Sequence, residues 1–233
     1  MENYLYQYWF RGKRKLHTEE STLFYYSKNM HLPTERAEDA KAAKKFLKTC
    51  ASAEEWARYA YTNDLPFSVC KLEEGKVVVG LEEDVTKDLT VFFLDEYYRL
   101  FMYYVFRKQP NDNYFCIGIM FWEFEEGKSG DDDDKTAWTY IFETNGNVEV
   151  IEQEKSSAEE CVWKSKRPLN VESNWEPAPE FGDWEGLMKM ERWKQGELDE
   201  LFKRKESENN NPPKKPFSPW LPPDWEKNGF LGF

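Results

Sequence analysis

Four consecutive aspartates, Asp131, Asp132, Asp133 and Asp134, stand in the stretch EFEEGKSGDDDDKTAWTYIFE. Three kinds of chemistry could use such a run. A calcium loop needs acidic ligands that alternate around a glycine, because adjacent residues cannot all turn toward one ion, and this run lacks that spacing. A DDDDK cleavage tag belongs at a junction, whereas this one lies between two strongly patterned strands and is native sequence. Three readings stay open: first a solvated, self-repelling hairpin loop, then an anionic element that steers a basic protein into contact, and last metal binding. In the second, Glu123, Glu125 and Glu126 extend the acidic surface, and Trp122 or Trp138 supplies an aromatic anchor, unless those rings belong to the core.

Other reactive groups are sparse or unpatterned. His17 and His31 are the only histidines, and neither stands in a metal-ligand spacing. Cys50, Cys70, Cys116 and Cys161 form no close pair of the kind zinc needs. They read as buried free thiols in a reducing compartment. Carboxylate pairs such as Asp95 with Glu96, or Glu123 with Glu125, could serve acid-base chemistry, but among 44 acidic residues they carry no information. No nucleotide-binding or nucleophile-elbow motif is present. The sequence therefore assigns no catalytic residue, no cofactor and no metal, and the expectation is a protein that is not an enzyme. The basic run Arg11 to Lys15 could contact an anion or nucleic acid beside Tyr8 and Trp9. The surrounding acidity argues instead for a basic turn that pairs with the protein's own carboxylates.

These residues need elements to hold them. Tyr4, Tyr6, Tyr8 and Phe10 alternate with Leu5, Gln7 and Trp9, which predicts an opening strand. Thr34 heads an expected helix through ERAEDAKAAKKFLKT, acidic in its first turn and basic in its last. Ser52 and Glu55 form a capping-box pattern for a second helix whose Ala53, Trp56, Ala57 and Ala60 share a face. From Pro66 the period becomes two. FSVCKLE and KVVVGL flank a glycine turn, and VFFLDEYYRLFMYYVFRK divides at Asp95-Glu96. YFCIGIMFWEFEE follows, apolar on both faces like a covered central strand. TAWTYIFE and NVEVIEQE flank Asn145-Gly146, which predicts a type I′ hairpin turn. A further helix is expected over 183–205, followed by a Pro- and Trp-rich end. Trp220, Leu221 and Trp225 of that end are expected to dock on the chain's own domain. The predicted fold class is α+β: an antiparallel meander with two N-terminal helices on one face. Residues 1–182 form the domain, and 183–233 form a C-terminal helix and tail.

Charge sorts the possible partners. The 233 residues carry a net charge of -12, and residues 49–186 alone hold 30 acidic against 13 basic side chains. Such a field repels nucleic acid and anionic membranes and attracts basic proteins. Aromatics make up 17% of the chain, which favours sheet faces and interfaces over a helical bundle. No apolar run approaches the ~18 residues of a membrane span, and the N-terminal stretch lacks a signal-peptide pattern, so a cytoplasmic location is expected. With the meander ending WTYIFETNGNVEVIE, the acidic balance and the Trp/Pro end, the chain resembles bacterial immunity proteins of polymorphic toxin systems over about residues 66–186. That resemblance implies tight binding and neutralisation of one cognate toxin, a basic partner. The alternatives are an adaptor that recruits through its Trp/Pro end, and a small-molecule-binding or enzymatic α+β domain.

Overall fold

The computed structural model describes residues 4–83, 87–130, 133–156, 160–165 and 167–193. Eight consecutive strands form an antiparallel meander: β4 (Phe67–Glu73), β5 (Lys76–Glu83), β6 (Asp88–Leu94), β7 (Leu100–Lys108), β8 (Tyr114–Phe124), β9 (Asp134–Phe142), β10 (Val148–Glu154) and β11 (Glu160–Lys164). β1 (Tyr4–Leu5) adds to the β4 edge, and β12 (Trp175–Glu176) pairs with the start of β8. With α1 (Glu19–Asn29), α2 (Ala37–Leu47) and α3 (Ala53–Thr62) ahead of the meander, the class is α+β.

The period-2 pattern sorts side chains onto two faces. The inner face carries the larger core, in which Val69, Leu81, Val91, Phe93, Tyr104, Phe121, Trp138 and Tyr140 meet Tyr26, Ala43, Trp56 and Ala60 of the helices. On the outer face a smaller cluster gathers Cys70, Val77, Phe92 and Leu94 beneath Trp9. Trp9 belongs to a two-stranded hairpin, β2 (Trp9–Phe10) and β3 (Lys15–Leu16), laid over that face. Gly80 lies opposite Phe92 in the β5–β6 register, and a Cβ there would sit 2.0 Å from the Phe92 ring. Gly80→Ala is therefore expected to displace the ring and cost about 1–3 kcal/mol, read as a lower urea midpoint.

Several elements depart from the sequence pattern. The opening strand is broken into β1 and β2, because the chain leaves the sheet edge after Leu5 and crosses to the outer face. Helix α1 was not anticipated, since Phe24, Tyr25 and Tyr26 place rings on several sides and blur a single apolar stripe. Thr18 caps it by accepting from the Ser21 amide at 3.2 Å. Thr34 does not cap α2: it opens a 3-10 turn (Thr34–Arg36), and α2 begins after it at Ala37. α3 follows its pattern: Ser52 Oγ accepts from the Glu55 amide at 3.1 Å, while the Glu55 carboxylate accepts from the Ala51 amide at 2.7 Å.

The Asn145-Gly146 turn is not type I′, which needs two positive φ angles; Gly146 has one at 87°, and Asn145 does not. Glu143 instead donates to the Asn147 carbonyl across a three-residue loop, a type I turn with a glycine bulge. Strands β11 and β12 extend the sheet beyond the last predicted strand. Of the helix expected over 183–205, the described part, up to residue 193, holds α4 (Glu185–Met188); residues beyond 193, including Trp220, Leu221 and Trp225, lie outside the described residues.

What precedes residue 194 is tied down firmly. Asn174 donates from Nδ2 to the Cys116 carbonyl at 2.8 Å and accepts from the Trp193 indole at 2.9 Å. Trp184, Leu187 and Trp193 are buried in the inner core. Arg192 is wholly enclosed, with Nη1 2.7 Å from Glu176 Oε1 and Nη2 donating to the carbonyls of Gly186 and Leu187.

Candidate functional site

The connection from β8 leads into β9 at Asp134, the last residue of the acidic run, and its base is built by arginines distant in sequence. Arg99 is nearly enclosed: Nε meets Asp95 at 2.7 Å, Nη1 donates to the Lys128 carbonyl at 2.9 Å, and the guanidinium lies 3.9 Å from the Phe124 ring centre. Arg14 donates to the carbonyls of Ser129 at 2.8 Å and Tyr97 at 3.1 Å. The loop also closes on itself, since Glu125 donates its amide to the Asp133 carbonyl and Asp133 Oδ2 accepts from the Gly130 amide at 2.7 Å. The anionic connection is thus held on a fixed platform.

Beside it, on the outer face, is a groove of about 380 Å³. Its apolar lining comes from Trp9, Tyr98, Leu94, Leu100, Trp122 and Phe124, with Arg11, Gly12 and Asp134 at the polar positions. Arg11 is already engaged, 3.3 Å from Glu82 and stacked 5.1 Å from the Phe92 ring centre. Asp134 pairs with Lys155 at 2.8 Å. Hairpin β2–β3 supplies one wall because its turn, Arg11 to Lys13 followed by Arg14 at φ 46°, folds the basic run back over the sheet.

The residues expected to bind a partner separate here. Trp122 and Asp134 line the groove. Glu125 and Glu126 are exposed on the adjoining turn, with Glu125 3.6 Å from Lys128, and Glu123 is half-buried. Asp133 is at the loop's closing bond, and Asp131 and Asp132 lie outside the described residues. Trp138 is not a surface anchor: alternation along β9 turns Thr136, Trp138, Tyr140 and Phe142 inward, and its ring stacks with Phe121 and Trp163 in the core. Trp9, Tyr98 and Arg11 were not anticipated as groove residues. The nearest signal in the sequence was the aromatic and basic run from Tyr8 to Lys15, whose expected pairing with the protein's own carboxylates is seen at Arg11 and Glu82.

Other titratable groups are placed for structure. The Asp95 carboxylate accepts from the amides of Tyr97 and Arg99 as well as from the Arg99 side chain, which occupies it fully in the β6–β7 turn. Burial pushes the Cys116 thiol up to about 12 and raises those of Cys70 and Cys50, the opposite of what a nucleophile needs. Cys161 is exposed and Cys50 half-buried, so the four thiols are not uniformly interior. His17 sits among the rings of Tyr8, Phe10 and Tyr25. Adjacent Glu82 and Glu83 fall on opposite faces and cannot act together. Among the described residues no three His, Cys, Asp or Glu side chains gather to hold a metal ion, and no helix is long and apolar enough to cross a membrane. Compared with known protein families, with characterised proteins and with solved structures, the chain matches none.

Proposed function

We propose that the protein is an acidic inhibitor of the immunity type, which binds and neutralises a basic toxin through the β8–β9 connection and the groove beside it. One observation carries this reading: the acidic connection is fixed at its base by Arg14 and Arg99 directly beside a groove walled by aromatic side chains. Charge at a fixed place speeds and orients encounter, while partly exposed rings supply contact area once the partner is seated. The acidic excess of residues 49–186 supports a basic partner, and the raised thiols favour binding over covalent chemistry at those positions.

The test is capture from host lysate at low and high salt, followed by kinetics with the identified basic partner. A stoichiometric complex that abolishes the partner's activity supports the reading. Changing Asp131 to Asp134 together to asparagine is expected to slow association about tenfold or more at low salt, an effect that shrinks as salt screens the charges, with dissociation little altered. Unchanged association would remove the loop from the interface. A capture without any basic partner would favour a second reading, in which the groove takes a small molecule.

A further inference from the structure

Resting on the reading that the partner is basic, we infer that the outer-face groove is an arginine-recognition pocket, which receives one guanidinium side chain of that partner against Trp122 and Tyr98 with Asp134 as counter-charge. Its volume of about 380 Å³ falls at the lower end of the ~300–1,000 Å³ usual for ligand pockets, enough for one long side chain rather than a segment of backbone. Tyr98 and Trp122 are only half-buried, so part of each ring remains open toward the groove.

Among the described residues the groove's lining carries one charge of each sign. Its guanidinium, Arg11, is tied to Glu82 and to the Phe92 ring, which leaves the Asp134 carboxylate for an incoming cation to share with Lys155. Asp134 stands at the rim with its carboxylate still partly exposed beside Lys155, and it ends a run of four aspartates. A guanidinium suits this corner better than an ammonium, being planar, weakly hydrated and able to stack on rings. The protein already uses that contact nearby, with Arg99 on Phe124 at 3.9 Å and on Tyr97 at 5.0 Å, and Arg11 on Phe92 at 5.1 Å. Lys155 would exchange its partner for solvent or share Asp134 with the incoming group.

The test uses the full chain, 15N-labelled, titrated with N-acetyl-arginine methylamide while the tryptophan indole signals are followed by NMR. The citrulline analogue, which has the same shape without the charge, and choline serve as comparison probes. The Trp122 indole, assigned by Trp122→Phe, is expected to shift saturably with a Kd of about 1–20 mM, as suits one stacked, charge-assisted side chain. The citrulline probe should bind at least about tenfold more weakly, and Asp134→Asn should weaken the arginine probe about threefold to tenfold. No shift at Trp122, equal shifts from both amino-acid probes, or a response to choline alone would overturn the pocket. Capture of a basic partner without any arginine response at Trp122 would overturn the pocket and leave the inhibitor reading standing. An arginine response without a captured partner would support the pocket and count against the inhibitor.

Discussion

Replacing Glu176 with glutamine is expected to cost about 3–5 kcal/mol of folding stability. Its partner Arg192 is fully enclosed and lies 4.5 Å from the Phe106 ring centre. Glutamine keeps the shape and one hydrogen bond but leaves that guanidinium without a counter-charge in the core. Lys189, which also contacts Glu176, is half-exposed and can turn to water. The asymmetry gives the check: Arg192→Met should cost less, because Glu176 keeps Lys189 and the methionine still fills the space beside Phe106 and Tyr104. Urea denaturation of both variants measures this. Equal losses would mean that hydrogen bonds to the Gly186 and Leu187 carbonyls, not the buried charge, dominate.

The opposite sign is expected at Glu83, where glutamine should stabilise the fold at neutral pH. This side chain, only 5% exposed at the end of β5, has its carboxyl pushed up to about 8, by burial first and by neighbouring Asp64 second, with Lys108, Lys87 and Arg36 offsetting in part. Because the folded value lies above the unfolded one, the wild-type residue costs nothing below about pH 4.5, where it is protonated in both states. Its penalty grows as pH rises from there to about 8 and is constant above. Glu83→Gln removes the proton-linked cost, so the gain should be near zero at pH 4.5 and about 3 kcal/mol at pH 7. Stability curves of both proteins from pH 4.5 to 9 test it; a gain that does not change with pH would show that Glu83 is ionised in the fold at all these values.

Neither effect is visible in the sequence, and the reason is the same for both. Glu83 is one of 44 acidic residues, and Glu82 beside it has the same local pattern but faces the other side of the sheet. Burial raises both carboxyls, but Glu82 has Arg11 beside it, whereas the turn after α3 and the closure of β4, β5 and β6 place Glu83 near Asp64. Likewise Trp122 and Trp138 stand in strands of similar composition. Since both faces of β8 and β9 carry apolar residues, alternation alone does not say which set points inward. Their placement was decided by the helices covering one face and hairpin β2–β3 covering part of the other.

What the sequence determined by itself was local. The alternation from Phe67 to Glu154 specified the meander, Ser52 and Glu55 specified the start of α3, and Asp95 specified the break between β6 and β7. Each rests on interactions among residues a few positions apart. The tertiary structure alone decided the site: Arg14 beneath Ser129, Arg99 beneath Lys128, and Trp9 facing Trp122 across one groove. Those partners lie up to 115 positions apart, and a pattern read along the chain cannot specify which distant side chains the folded sheet will bring together.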